Sequence, residues 1–213
     1  MATAKFIEQA KRPIYKRGKK VEYISQRGKH AGETKTKIDR NQPADEQDEI
    51  LINVGEGYWT WCFYGGSPIY SKTQPRPSQL TQNPFKQELY AISESVEDFE
   101  TDDPEYISGF VEETKDNLEQ LRDTCQESLD NIPESLQDSS PAAEVLNNRI
   151  ERLDEIINDL DSVDTDYDYE SVISDLDRDT MDDAEWEQAV QEAIEEWISE
   201  RISEIQEIDY DIE

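Results

Sequence analysis

Two cysteines and one histidine in 213 residues leave little for redox or metal chemistry. Cys62 and Cys125 sit in different segments with no Cys-x-x-Cys spacing, which argues against a disulfide scaffold and a cysteine-based metal site. The lone histidine, His30, reads as an exposed polar residue in a basic loop. With it alone, neither a Cys/His zinc set nor a plausible Ser/His/Asp triad can be assembled. No apolar run approaches the roughly 18–20 residues that a membrane span requires. The opening stretch MATAKFIEQAKRPIYKRGKK has no apolar h-region, which predicts no secretory signal. Phosphate-cradling glycines are missing too. Gly55, Gly57, Gly65 and Gly66 fall in a hairpin pattern, not between a strand and a helix. Apolar residues make up 34% of the chain, against about 45–50% in globular proteins. That scarcity leans toward disorder, but four Trp, ten Tyr and periodic Leu, Ile and Val lean back toward folding. The expectation is elongated elements with narrow apolar seams, no enzyme, no cofactor and no metal.

What the chain has is charge, and the charge is split. Residues 1–90 carry 15 Lys/Arg and 10 Asp/Glu, a net of +5. Residues 91–213 carry 6 Lys/Arg and 42 Asp/Glu, a net of −36. Asymmetry of this size points to interaction surfaces.

Residues 1–48 read as a basic arm and linker, with the clusters Lys11-Arg12, Lys16-Arg17 and Lys19-Lys20 and a short strand over 21–25. Asn41 to Asp48 reads as a polar linker. Residues 49–77 read as a small β module. Glu49–Val54 is a β-branched run, Tyr58–Tyr64 is rich in strand formers, Gly65-Gly66 suits a tight turn, and Ser67–Lys72 is the return strand. The expectation is a three-stranded meander, with Trp59, Trp61 and Phe63 on one face.

Residues 78–213 read as helix. Phe85, Leu89, Ile92, Val96 and Phe99 form a first heptad-like seam. Ile107, Val111, Thr114, Leu118, Leu121, Cys125, Leu129 and Ile132 form a second, stopped or kinked at Pro133. Leu146, Ile150, Leu153, Ile157 and Leu160 form a third. A last helix over about 181–208, with a capping-box-like Thr180 and Asp183, carries the stripe Trp186, Val190, Ala193/Ile194, Trp197/Ile198, Arg201/Ile202, Ile205 and Ile208. Between them, Asp164 to Glu170 alternates acids but lacks the central glycine and twelfth-position Glu of a calcium loop, so it reads as a solvated connection. The fold class is α+β: a small N-terminal antiparallel β-meander with a basic arm, then an extended acidic helical hairpin or bundle.

Two surfaces follow. The acidic helices present carboxylates in rows, with Glu185, Glu192, Glu195, Glu196 and Glu200 as a partner-binding face. Such a face attracts basic grooves of nucleic-acid-binding proteins. A net of −36 exceeds the about −8 that suffices for solubility. The basic third offers Lys11, Arg12, Lys16, Arg17, Lys19, Lys20, Trp59 and Trp61 for nucleic-acid contact by charge and stacking. Alternatively, the tryptophans form a packing face, the preferred reading, and the arm neutralises the acidic half of the same chain or of a neighbour.

Residues 55–82 resemble a segment of uncharacterised tailed-bacteriophage proteins. The resemblance is carried by Gly55-Glu56-Gly57-Tyr58-Trp59-Thr60-Trp61-Cys62-Phe63, Gly65-Gly66, Ile69-Tyr70-Ser71-Lys72-Thr73, Pro75 and Ser78-Gln79-Leu80-Thr81-Gln82. The chain departs from that pattern at Cys62, where the family usually has a basic residue, and at Gln74, where it has a proline. The resemblance implies a phage origin, no established activity and no catalytic residue. The expected protein is non-enzymatic, acts in the cytoplasm of the infected host cell, and engages a basic host, defence or phage protein as an inhibitor or nucleic-acid mimic. A nucleic-acid-binding adaptor and a self-associating assembly protein are the alternatives.

Overall fold

The aromatic hairpin forms where strand propensity and the paired glycines place it. Tyr58–Trp61 (β6) and Ile69–Ser71 (β7) pair antiparallel, with Trp59 opposite Ser71 and Trp61 opposite Ile69. The turn closes with Gly66 N–H donating to the Phe63 carbonyl at 2.9 Å, and Gly65 takes a φ of +75°. The computed structural model describes residues 1–25, 33–137 and 139–212. It is α+β and divides into two units, residues 1–87 and 88–213.

The first unit departs from the expected meander. The stretch before the hairpin, Ile50–Ile52 (β5), does not pair with β6. Lys5–Ile7 (β1) takes that place, setting Phe6 opposite Trp59 and giving the order β1-β6-β7. β5 pairs instead with Ile14–Tyr15 (β2). Lys19–Ile24 (β3) and Thr34–Asp39 (β4) make a third, two-stranded ribbon. The segment read as an arm and linker therefore supplies four strands. The reason is apolar: Ala10, Ile14 and Ile52 are buried together with Leu51, Tyr58 and Tyr70 packed against them, and the β2–β5 pair sets Ile14 opposite Ile52.

The stretch read as a linker is a polar knot. Asp48, whose side chain is fully covered, accepts backbone N–H bonds from Arg17 (3.0 Å), Gly18 (2.8 Å) and Ala44 (2.9 Å). Burial pushes its carboxyl up. The three N–H donors and the Arg17 guanidinium outweigh that and hold it at about 2. Gly18 is required at the centre of this turn. Its φ is +74°, and an added Cβ would lie 2.9 Å from both Arg40 Cα and the Asp39 carbonyl.

The helices are Pro84–Glu97 (α1), Glu105–Asp130 (α2), Glu134–Gln137 (α3), Pro141–Asp161 (α4), Tyr169–Val172 (α5) and Asp183–Glu207 (α6). Every residue of the first seam is buried, and so is the second from Ile107 to Leu129. Thr114, polar within that seam, donates to the Phe110 carbonyl at 2.8 Å. α2 and α4 are the principal helix pair. Lys115 bridges to Asp161 and Arg122 to Asp154, so position rises along one helix as it falls along the other, which makes the pair antiparallel. On α4 the buried set is Ala143, Leu153, Ile156, Ile157 and Leu160, while Leu146 and Ile150 are half-buried.

α6 docks through polar as well as apolar contacts. Gln206 Nε2 reaches the carbonyls of Val96 (3.1 Å), Glu97 (3.3 Å) and Phe99 (3.4 Å), which satisfies the open C-terminal end of α1. Ile198 and Ile205 are buried. Beyond α6, Arg152 bonds the Asp209 carboxylate at 2.9 Å, and Tyr210 and Ile212 are buried. Burial drives the Tyr210 hydroxyl pKa upward.

Candidate functional site

The start of α6 differs from the Thr180/Asp183 cap expected. Asp182 is the capping residue: it accepts from Ala184 N–H and Glu185 N–H at 2.9 Å each, and Glu185 returns a bond to Asp182 N–H at 3.0 Å. Asp182 has the extended backbone that a cap requires, with a φ of −79° and a ψ of 175°. Glu185 is therefore half of a capping box, and its carboxylate is partly used.

The other four acidic candidates share a face. At about 100° per residue, Glu192, Glu195, Glu196 and Glu200 fall within one broad stripe, with Glu196 and Glu200 across the helix from buried Ile198 and Ile205 and Glu195 at the edge of the buried side. All four are exposed. Gln188 and Gln191 donate to Glu192 and Glu195 from one turn away, at 2.7 and 2.9 Å, and hold those carboxylates along the helix axis. Arg201 is the cation nearest the stripe. Its guanidinium is 3.9 Å from Glu200, pairs with Glu204, and lies 5.6 Å from the Trp197 ring. Arg201 is thus engaged, and its side chain is only 17% exposed.

The rest of the helical unit makes the surplus unavoidable. Residues 88–213 hold 43 Asp/Glu and 6 Lys/Arg. Lys115, Arg122, Arg152 and Arg178 are bound to Asp161, Asp154, Asp209 and Asp183. The hydrogen bond that Lys115 donates to Asp161 raises the Lys115 pKa, and the one that Arg122 donates to Asp154 raises the Arg122 pKa. The cations staple α2 to α4 and α4 to the tail, and most carboxylates are left facing solvent. In the 164–170 connection, Asp164 and Asp168 turn back on their own chain, accepting from Asp166 N–H (3.2 Å) and Glu170 N–H (3.1 Å). Among the described residues, no cluster of three His, Cys, Asp or Glu side chains could hold a metal ion. Nor is any helix among them long and apolar enough to cross a membrane.

The basic candidates do not form one patch. Lys16 pairs with Glu49, and Arg17 pairs with Asp45 and lies 3.6 Å from Asp48, so both serve the knot. Lys11 and Arg12 rim a cavity of about 320 Å³ over Ile7, Ile14 and Tyr58. Lys19 and Lys20 stand on the ribbon. The tryptophans pack. Trp61 is buried, and Trp59 is half-buried with its ring centroid 5.3 Å from that of Phe6. His30, with Arg27 and Lys29, lies outside the described residues. The β3–β4 register sets Lys35 and Lys37, which belong to no cluster in the sequence, beside Tyr23 of the expected short strand. The alternation of Thr and Lys over 34–37 was the available signal.

Comparison with protein-family models, with curated proteins and with solved structures gives no match to the chain.

Proposed function

We propose that this is a non-enzymatic bacteriophage protein, acting in the cytoplasm of the infected cell, that sets the carboxylate face of α6 against a basic, nucleic-acid-binding surface of a host or defence protein. One observation carries the reading. Glu192, Glu195, Glu196 and Glu200 are exposed on one side of a capped, docked helix, and the nearest cation is already engaged. Glu192, Glu196 and Glu200 are four residues apart, about 6 Å along the axis. That is near twice the roughly 3.4 Å axial charge spacing of one DNA strand. The glutamates thus imitate alternate phosphates for a groove lined with Lys and Arg. Glu185 contributes to the cap, not to this row.

Affinity capture from host lysate with the tagged full chain tests the reading. Charge reversal at Glu192, Glu195, Glu196 and Glu200 should abolish capture of the basic partner, and raised salt should weaken it in the parent protein. An unchanged partner yield with the reversed face would refute the electrostatic account. Circular dichroism on the same variant checks that α6 stays folded.

A further inference from the structure

The β3–β4 ribbon carries basic side chains in an arrangement that ion pairing does not explain, with Lys37 exposed and Lys35 half-exposed. The register sets Lys19 opposite Asp39, Val21 opposite Lys37 and Tyr23 opposite Lys35. Side chains alternate across a strand, so Lys19, Val21, Tyr23, Lys35 and Lys37 share one face. The acid on that face is engaged mainly by its own turn: Asp39 accepts from Asn41 N–H (3.0 Å) and Gln42 Nε2 (3.2 Å), and the Asn41 backbone bond leads in holding its carboxyl low, with the Lys37 charge adding to it. Lys19, Lys35 and Lys37 make no ion pair with a described residue. Tyr23 is 42% exposed, with Lys37 Nζ at 5.5 Å from its ring centroid.

We infer that this face of the ribbon binds single-stranded nucleic acid. Lys19, Lys35 and Lys37 hold phosphates, and Tyr23 offers its ring to a base. Lys35 and Lys37, two residues apart on an extended strand, stand about 6.7 Å apart along it, a reach suited to successive phosphates of an extended chain. An acidic protein surface would satisfy the lysines but leave the exposed tyrosine without a use. A base stacks on an aromatic ring whatever its identity. The inference concerns the other unit from α6 and stands or falls independently of the carboxylate face.

Fluorescence anisotropy with the full chain and a labelled twelve-nucleotide oligo-dT tests it. The parent protein should bind at 50 mM salt, with log K against log salt falling at a slope of about −2, as expected for three phosphate contacts on a single strand. The double variant Lys35→Glu, Lys37→Glu should lose binding. The milder Lys35→Gln, Lys37→Gln, which leaves the ribbon uncharged at those positions, should weaken it strongly. Tyr23→Ala should cost about tenfold through lost stacking. No binding at 50 mM salt would overturn the proposal, as would binding unaffected by the Lys35/Lys37 variants. Equal competition by polyglutamate, or a preference for duplex, would also overturn it.

Discussion

The two units use acidic side chains in opposite ways. In the β unit, carboxylates are internal ligands. Asp48 gathers three backbone N–H groups, Glu49 is held low chiefly by its hydrogen bond from Lys16, and Glu56 is held at about 2 by Asn53 and Lys72. Its strands are short, its central apolar cluster is small, and the polar knot fixes what that core does not. In the helical unit, long seams of Leu, Ile and Val do the holding, and acids outnumber cations so heavily that most must face water. An acid in the first unit is a fastener. An acid in the second is surface, and a surface of one sign is available to a partner of the other.

That contrast predicts where damage will spread. Leu118 and Leu153 are fully buried on α2 and α4. Leu118→Ala should cost about 3 kcal/mol, read from urea melts followed by helical circular dichroism, because the hairpin has no knot to compensate for a cavity. Amide signals of Phe6 and Trp59 should hold through the early part of that melt if the units respond separately.

Asp48→Ala should do the reverse. Amide signals of Arg17, Gly18 and Ala44 should lose dispersion while the helical signal keeps its amplitude. Acid should do the same without mutation. The Asp48 carboxyl is lowered from 3.8 to about 2 on folding, so its contribution is complete above the ordinary carboxylate range and disappears as pH falls through about 2. The helical unit moves the other way over the earlier part of that titration. Lowering pH from 7 toward the isoelectric pH of about 4.2 removes like charge and eases its self-repulsion. A pH series in which both units lose stability together from pH 7 downward would erase the distinction drawn above.

Smaller effects refine it. Asp182→Ala removes the acceptor of two N–H groups and should cost about 1 kcal/mol, confined to α6 in residue-resolved hydrogen exchange. Arg122→Ala breaks a partly exposed pair with Asp154 and should cost about 0.5 kcal/mol, diminishing in high salt. An Arg122 effect several times larger would show that the ion pairs between α2 and α4 hold the hairpin as firmly as its seam does.

The helical seams were legible because each helix reports its own period. The residues from Ile107 to Leu129 were read as one stripe and are buried as one stripe. α4 departed from its two-in-seven reading, burying Ile156 and leaving Leu146 and Ile150 half-exposed. It is covered twice, by α2 and by a C-terminal tail whose Asp209 bonds Arg152. The hairpin of β6 and β7 was legible from alternation and its glycines. The displacement of β5 by β1 was not, because a three-residue strand carries no signal naming its partner. On α6 the stripe was visible in the sequence, but the role of Glu185 was not, since a cap is recognised by its hydrogen bonds.

By itself, the sequence determined what depends on spacing along one element: the charge division, the existence of the long helices, the buried seams of α1 and α2, and the aromatic hairpin. Tertiary structure alone decided what depends on residues far apart in the chain: which strand lies beside β6, why Asp48 is buried, and which lysines stand around Tyr23. The physical reason is that period and propensity act between neighbours in sequence. Strand pairing, burial of a carboxylate and clustering of charge are settled by competition among distant segments for the same partners.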